Sequence, residues 1–466
     1  MSYLQCTYDV KPGSVAPPVQ GLPSTDWHVK EALEYFVRVM LPTQEYHDKG
    51  DSAYEFNFNF DGVVGHKYFD GDRFSLLVLS HRLQCIFSSS KVAPRYGNLP
   101  GLNLLWTRLF NLMDIVMQRL NHRIATSSDL LPAFGLIRML MHVELNFVIP
   151  TWRVHAEGFG ALIKNQPRGL SELFSDYPDV PQYVLLVSSM CNTTSPPDDQ
   201  ITHMSNWSDQ DIAIAYSHTG CHGFPCPTAI FQAMIRITHL RTLVAAGTQA
   251  PEWERLAREA HAKIQSVDPR NWGEPYSTDG EIYVLSARVY QAAVALYAIL
   301  ALPPQLAAVF AFPQPGGGGE QQAVAENVEA TAAKPSFETC DACGAKGPQY
   351  ARDERDELDL AHAALEDDCG QTAQVRYRSS LFRLFRRATA ELPESGGLAW
   401  PSAVLGVAFQ GHAEEQAILL DHVGYLRGWP GSESGATSLY DKLIEFWGSG
   451  KKHWDQCFYE PTSVLT

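Results

Sequence analysis

The chain has 466 residues, 45% of them hydrophobic and 19% charged, an ordinary globular composition with enough apolar side chain for one large core or two smaller ones. With 52 acidic against 36 basic side chains, the net charge of −16 argues against binding a phosphate backbone unless the basic residues gather into one patch, and no such patch stands out. Apolar runs of membrane-spanning length and a basic-then-apolar leader are missing, so neither a membrane span nor export is expected, and nine irregularly spaced cysteines do not read as a disulfide framework.

Residues 1–23 are rich in Pro and Gly and are expected to be a flexible segment. Ser24, Thr25 and Asp26 then offer N-caps to a helix carrying Trp27, Leu33, Phe36, Val37 and Met40, ending near Pro42. Tyr54 to Gly62 alternates and allows one short hairpin. Helical spacing returns in Phe74, Leu77, Val78, His81 and Cys85. It is clearest in Leu102, Leu105, Leu109, Leu112, Val116 and Leu120. Further helices are expected near 128–148, 150–165, 180–191, 209–216, 227–246, 251–266 and 279–301. Residues 313–348, with Gly316 to Gly319, read as a flexible low-complexity insertion. Periodicity resumes from Tyr350 to Leu392, then at 401–424, 433–447 and 452–459. The expected fold is all-α, a large multi-helix bundle or solenoid-like array whose parts, 24–312 and 349–466, pack together across the insertion.

Few residues suggest chemistry. His218, Cys221, His222 and Cys226 combine zinc-ligand types, but four ligands within one Gly- and Pro-rich loop rarely reach tetrahedral geometry, so a loop leading into the next helix is the preferred reading. Cys340 and Cys343 form a C-x-x-C pair whose nearest companions are His362 and Cys369, and exposed thiols are preferred there over zinc. The pairs Asp198–Asp199 and Asp367–Asp368 lack a carboxylate one turn on, as a helix-borne magnesium site would need. Glycine-rich phosphate loops and hydrolase or metalloprotease signatures are also missing. Arg376, Arg383 and Arg387 share a helix face read as solvated, answering the acidic run Asp353 to Asp359. Tyr283, Tyr290 and Tyr297 recur every seven residues along one face, suited to a helix contact or to walling a cavity. His142 and Glu144, with Trp152 and His155, set polar groups among apolar ones, as a buried network or a binding site would.

Leu398-Ala399-Trp400-Pro401, then Gly406 and Glu414-Glu415, resembles the LxWP…G…E helix of the fungal-specific transcription factor domain. The closing segment with Trp447 and Trp454 is similar to that family's last helices. Trp152, His155 and Gly158 resemble its W-x-x-H-x-x-G helix, and Tyr283 to Tyr297 its tyrosine-rich one. Together these pieces span about residues 25–465 in the family's order.

The resemblance implies a nuclear, non-enzymatic helical domain that regulates transcription and in some members binds a small molecule. The family's usual binuclear zinc cluster would need six cysteines among basic residues, and the chain as given has none, so direct nucleic-acid contact is not expected. The expected partners are a small organic ligand, an amine by the acidic balance, and a second copy of the chain or other transcription proteins. No cofactor and no metal is expected. Glu144, His155, Tyr283, Tyr290 and Trp400 are the expected ligand contacts. A metal-dependent helical enzyme and a purely structural interaction domain are the rival readings.

Overall fold

The computed structural model describes residues 25–40, 71–90, 96–127, 130–147, 149, 151–164, 179–203, 207–217, 224–247, 250–273, 280–311, 373–391, 396–427 and 433–464. The expected N-terminal segment, the Tyr54–Gly62 hairpin and the 313–348 insertion lie outside the described residues. Among the described residues every regular element is helical, as the sequence leads one to expect. In chain order, α1 is Thr25–Tyr35, continued by a π turn Phe36–Met40, α2 Gly71–Ser90, α3 Asn103–Thr126, α4 Leu131–Asn146, α5 Trp152–Lys164 and α6 Asp179–Thr193. Then come α7 Asp209–Ser217, α8 Thr228–Ala245, α9 Ala250–Gln265, α10 Pro269–Gly273, α11 Gly280–Ala301 and α12 Pro304–Ala307. The last five are α13 Ala373–Glu391, α14 Ala399–Ala408, α15 Ala413–Leu426, α16 Glu433–Ser449 and the single turn α17 Trp454–Cys457.

The amphipathic stripe read in α3 is its buried face, with Trp106, Leu109, Leu112, Met113, Val116 and Leu120 directed inward. α11 differs, because it is buried on nearly every side and packs against α8, α10, α13, α14 and α17. It is long and apolar enough to cross a membrane, and its place at the centre of the bundle accounts for that composition. Residues before 312 and after 372 enter one apolar core running from Leu76 to Val464, with Leu381, Phe385 and Ala388 of α13 turned inward.

Two expected helices need correction. The segment 401–424 is two helices: Phe409 to His412 break it, with Gly411 at φ +84, a left-handed conformation that ends α14 before α15 begins. Apolar periodicity missed the break because both helices bury aliphatic side chains on either side of it. The expected helix at 452–459 is only one turn, closed by reciprocal hydrogen bonds between His453 and Gln456. Beyond it the chain pairs with the end of α6, the Thr462 amide donating to the Thr194 carbonyl at 3.0 Å.

Candidate functional site

The five expected contact residues are all buried, and the structure distributes them into separate packing sites. Glu144 at the end of α4 and His155 at the start of α5 face each other, Nε2 to Oε1 3.2 Å, wholly inside the core. Nearby His142 contacts Asn146 at 3.1 Å, and burial together with the Arg138 guanidinium holds its pKa down at about 4. Tyr283 packs edge-on against Trp272 at 5.9 Å. Tyr290 stacks on Trp400, ring centroids 6.2 Å apart, and its hydroxyl donates to the Gly397 carbonyl. The tyrosine register thus serves helix contacts.

Sequence reasoning missed the point where these helices meet. Thr193, the last residue of α6, accepts the Trp400 indole N–H on its hydroxyl at 2.7 Å and the Trp454 indole N–H on its carbonyl at 2.6 Å. The same carbonyl accepts from Arg241 of α8 at 3.0 Å, and Arg241 also donates to the Ser195 carbonyl at 3.1 Å. A helix C-terminus leaves carbonyls without intrahelical partners and carries partial negative charge, so a cation there satisfies both needs. Arg241 further donates to the Tyr297 hydroxyl at 2.9 Å and pairs with Asp455, while Thr238 lies 3.0 Å from the same hydroxyl. Tyr297 sets its ring against Trp400 at 5.7 Å and Trp454 at 4.8 Å. Five helices, α6, α8, α11, α14 and α17, are therefore fastened at one buried polar junction. The signal available in the sequence was Arg241 itself, one of two guanidiniums, with Arg236, in the largely apolar helix from Thr228 to Ala245.

The residues that carried the family resemblance hold the frame around this junction. Gly406 lets α14 lie against Leu443 of α16 so closely that an added Cβ would sit 2.4 Å from a Leu443 methyl, and the Gly406 carbonyl accepts the Trp447 indole N–H at 2.8 Å. Glu414 and Glu415 occupy the first turn of α15, where negative charge is favourable.

Of the expected alternatives for metal, His218, Cys221 and His222, Cys340 and Cys343, and Asp367–Asp368 lie outside the described residues. Cys226 is buried, its carbonyl accepting the Tyr216 hydroxyl at 2.7 Å. Asp199 is tied to Arg153 at 2.8 Å. Among the described residues no group of three His, Cys, Asp or Glu is placed to hold a metal ion. Burial pushes the Cys191 and Cys457 thiols up to about 12, so neither is a nucleophile at neutral pH. On α13, Arg387 pairs with Glu391 at 2.7 Å and Arg383 is exposed; the acidic run Asp353 to Asp359 lies outside the described residues.

Two openings among the described residues bear on ligand binding. One, about 30 Å³, lies among α1, α2 and α3, where Arg82 and Arg108 both hold Glu31 at 3.1 Å. The other, about 90 Å³, is a groove between the end of α6, the following loop and α8, beside the junction. Its walls carry hydroxyl, amide, imidazole and aliphatic groups, and none of the five expected contact residues lines it.

Comparison with known proteins adds one finding. Residues 103–333 match the family model described as the fungal specific transcription factor domain. No curated protein and no solved structure matches the chain. The matched segment runs from α3 through α12, the part that supplies Thr193, Arg241 and Tyr297, and by that segment the chain belongs to the fungal specific transcription factor domain family.

Proposed function

We propose that the chain is a regulatory domain acting in the nucleus, that it is not an enzyme, and that its output responds to a small organic molecule held between helices. The family membership supports the regulatory role. The observation that carries the finer reading is the open groove beside the five-helix junction, because an occupant there touches α6 and α8 and its effect is transmitted through Thr193 and Arg241 to α11, α14 and α17. The expected contacts Glu144, His155, Tyr283, Tyr290 and Trp400 become framework residues in this reading, since each is packed inside the protein.

The test is a reporter assay with the full chain fused to an unrelated DNA-binding module. Reporter output should differ from that of the module alone, and at least one member of a small-molecule panel should change it. Output indistinguishable from the module alone would remove the regulatory reading. A constant output across the panel would remove the ligand response.

A further inference from the structure

The groove between α6 and α8 contains three polar groups that the rest of the protein leaves unused. The Ser189 hydroxyl lines it, 96% of that residue being buried, and has no hydrogen-bond partner. Gln200 spends its amide N–H groups on the carbonyls of Asn192, Ser195 and Pro196, at 2.8–3.1 Å, which leaves its side-chain oxygen buried and unpartnered. His239 lines the same groove with neither ring nitrogen hydrogen-bonded among the described residues. Buried polar groups without partners are uncommon, and each costs about 1–3 kcal/mol unless something fills the need. Two such groups in one opening, Ser189 and Gln200, with the half-buried His239 ring beside them, point to an occupant.

The lining also fixes what the occupant is. Carboxylate, ammonium and guanidinium groups are all lacking from these walls, so an amine would enter with no counter-charge to offset its lost hydration. Burial and the neighbouring Arg236 hold the His239 pKa below its usual value, so its ring is neutral at pH 7 and offers one donor and one acceptor. Gln200 offers an acceptor, and Ser189 can donate or accept. Ile201 and Ile235 supply aliphatic contact. The volume of about 90 Å³ corresponds to about three waters, enough for a small ring or a short chain but not for a drug-sized molecule.

We infer that this groove binds a small neutral group carrying adjacent donor and acceptor atoms, a carboxamide or lactam, inserted between Ser189, Gln200 and His239. The inference rests on the ligand-responsive reading above and puts a neutral amide in place of the amine expected from the acidic balance of the sequence. Thr238 lies on the groove wall and reaches the Tyr297 hydroxyl, so the site adjoins the junction directly.

The experiment uses the full chain and three probes of similar size: 2-pyrrolidinone as the lactam, pyrrolidine as the cationic amine and cyclopentanone as the acceptor-only ketone. Binding is followed by thermal shift and ligand-observed NMR. The lactam should raise the melting temperature, and the amine should not; the ketone should bind more weakly than the lactam. Ser189→Ala should weaken lactam binding about fivefold, the equivalent of one hydrogen bond. Because that hydroxyl has no partner, the same variant should keep or raise the ligand-free melting temperature, which separates loss of a contact from loss of the fold. His239→Leu should weaken the lactam likewise.

Equal binding of the amine, lactam binding indifferent to both substitutions, or no binding by any probe, leaving a groove that holds water alone, would each overturn the inference. A reporter that still responds to some molecule in the Ser189→Ala, His239→Leu double variant would remove this groove as the site while leaving the ligand response standing. Lactam binding at the groove without any reporter response would do the reverse.

Discussion

Arg241 shows how a single side chain can organise a fold that hydrophobic patterning only outlines. Its guanidinium is buried, with the half-exposed Asp455 as its counter-ion and two backbone carbonyls and the Tyr297 hydroxyl as its other acceptors. Arg241→Met should preserve volume but leave the Ser195 carbonyl and part of the Thr193 and Tyr297 hydrogen bonding unmet, while Asp455 rehydrates. The expected loss is about 2–4 kcal/mol in urea unfolding at unchanged m-value. Arg241→Lys should recover little of it, since one ammonium cannot address both carbonyls, the phenol and the carboxylate in the same geometry. Gly406→Ala tests a different kind of constraint. The new methyl would meet Leu443, itself wholly buried, so the helix pair must separate, at an expected cost of about 1–3 kcal/mol read as a lowered melting temperature.

These residues also mark the limit of what the sequence disclosed. Trp400, Gly406, Trp447 and Trp454 stood out through their resemblance to a family, yet their partners, Thr193 above all, carry no local signature. A threonine at a helix end looks like any other until helices hundreds of residues away in the chain aim two indoles at it. The tyrosine register was legible as a face but not in its purpose: Tyr290 and Tyr297 use their rings for helix contact and their hydroxyls for internal hydrogen bonds. The groove left no trace in sequence either, because Ser189, Gln200 and His239 come from a helix, a loop and a second helix.

At the level of elements, helix positions followed from 3.6-residue periodicity, and both failures have a physical origin. One was a glycine-mediated left-handed turn between two equally apolar helices, and the other a C-terminal segment whose order comes from tertiary contacts more than from its own helix propensity. The single turn of α17 holds one fully buried tryptophan, packed against Tyr297 and Phe458. Trp454→Ala should therefore cost about 3–5 kcal/mol, a core-sized penalty from a four-residue helix. Increased amide exchange should appear at Thr462, whose N–H donates to the Thr194 carbonyl, and with it at Thr194, whose own N–H donates to the Cys191 carbonyl at the end of α6. A variant that frayed only the last residues, with Thr194 still protected, would show that the segment is an accessory and not part of the core.

For the whole molecule, stability should be a bell-shaped function of pH with its plateau between about 6.5 and 9. His142 and His422 are both held at about 4 in the folded protein, mainly by burial, against 6.5 when unperturbed. Below 6.5 the unfolded chain takes up protons that the folded one refuses, so stability falls as pH drops toward 4. Asp209 adds to the acid limb at lower pH: burial pushes its carboxyl up, but Lys263 and Arg236 outweigh that and hold it below its usual value. On the alkaline side, the Cys191 and Cys457 thiols stay protonated to about 12 when folded but ionise near 9 when unfolded, so stability is lost as pH rises through that interval. Denaturant midpoints measured from pH 4 to 10 should trace both limbs. His422→Phe should flatten the acid one, and a flat profile in the unsubstituted protein would contradict the burial of these groups.

The distance along the chain between Thr193 and Trp454, 261 residues, has a consequence for biosynthesis. At about 5–20 residues per second, the ribosome delivers that indole roughly a quarter of a minute to a minute after the threonine that awaits it. Throughout that interval the nascent polypeptide presents an unfinished apolar surface to the cell, so its yield should depend on chaperone capacity and on translation speed through its final third.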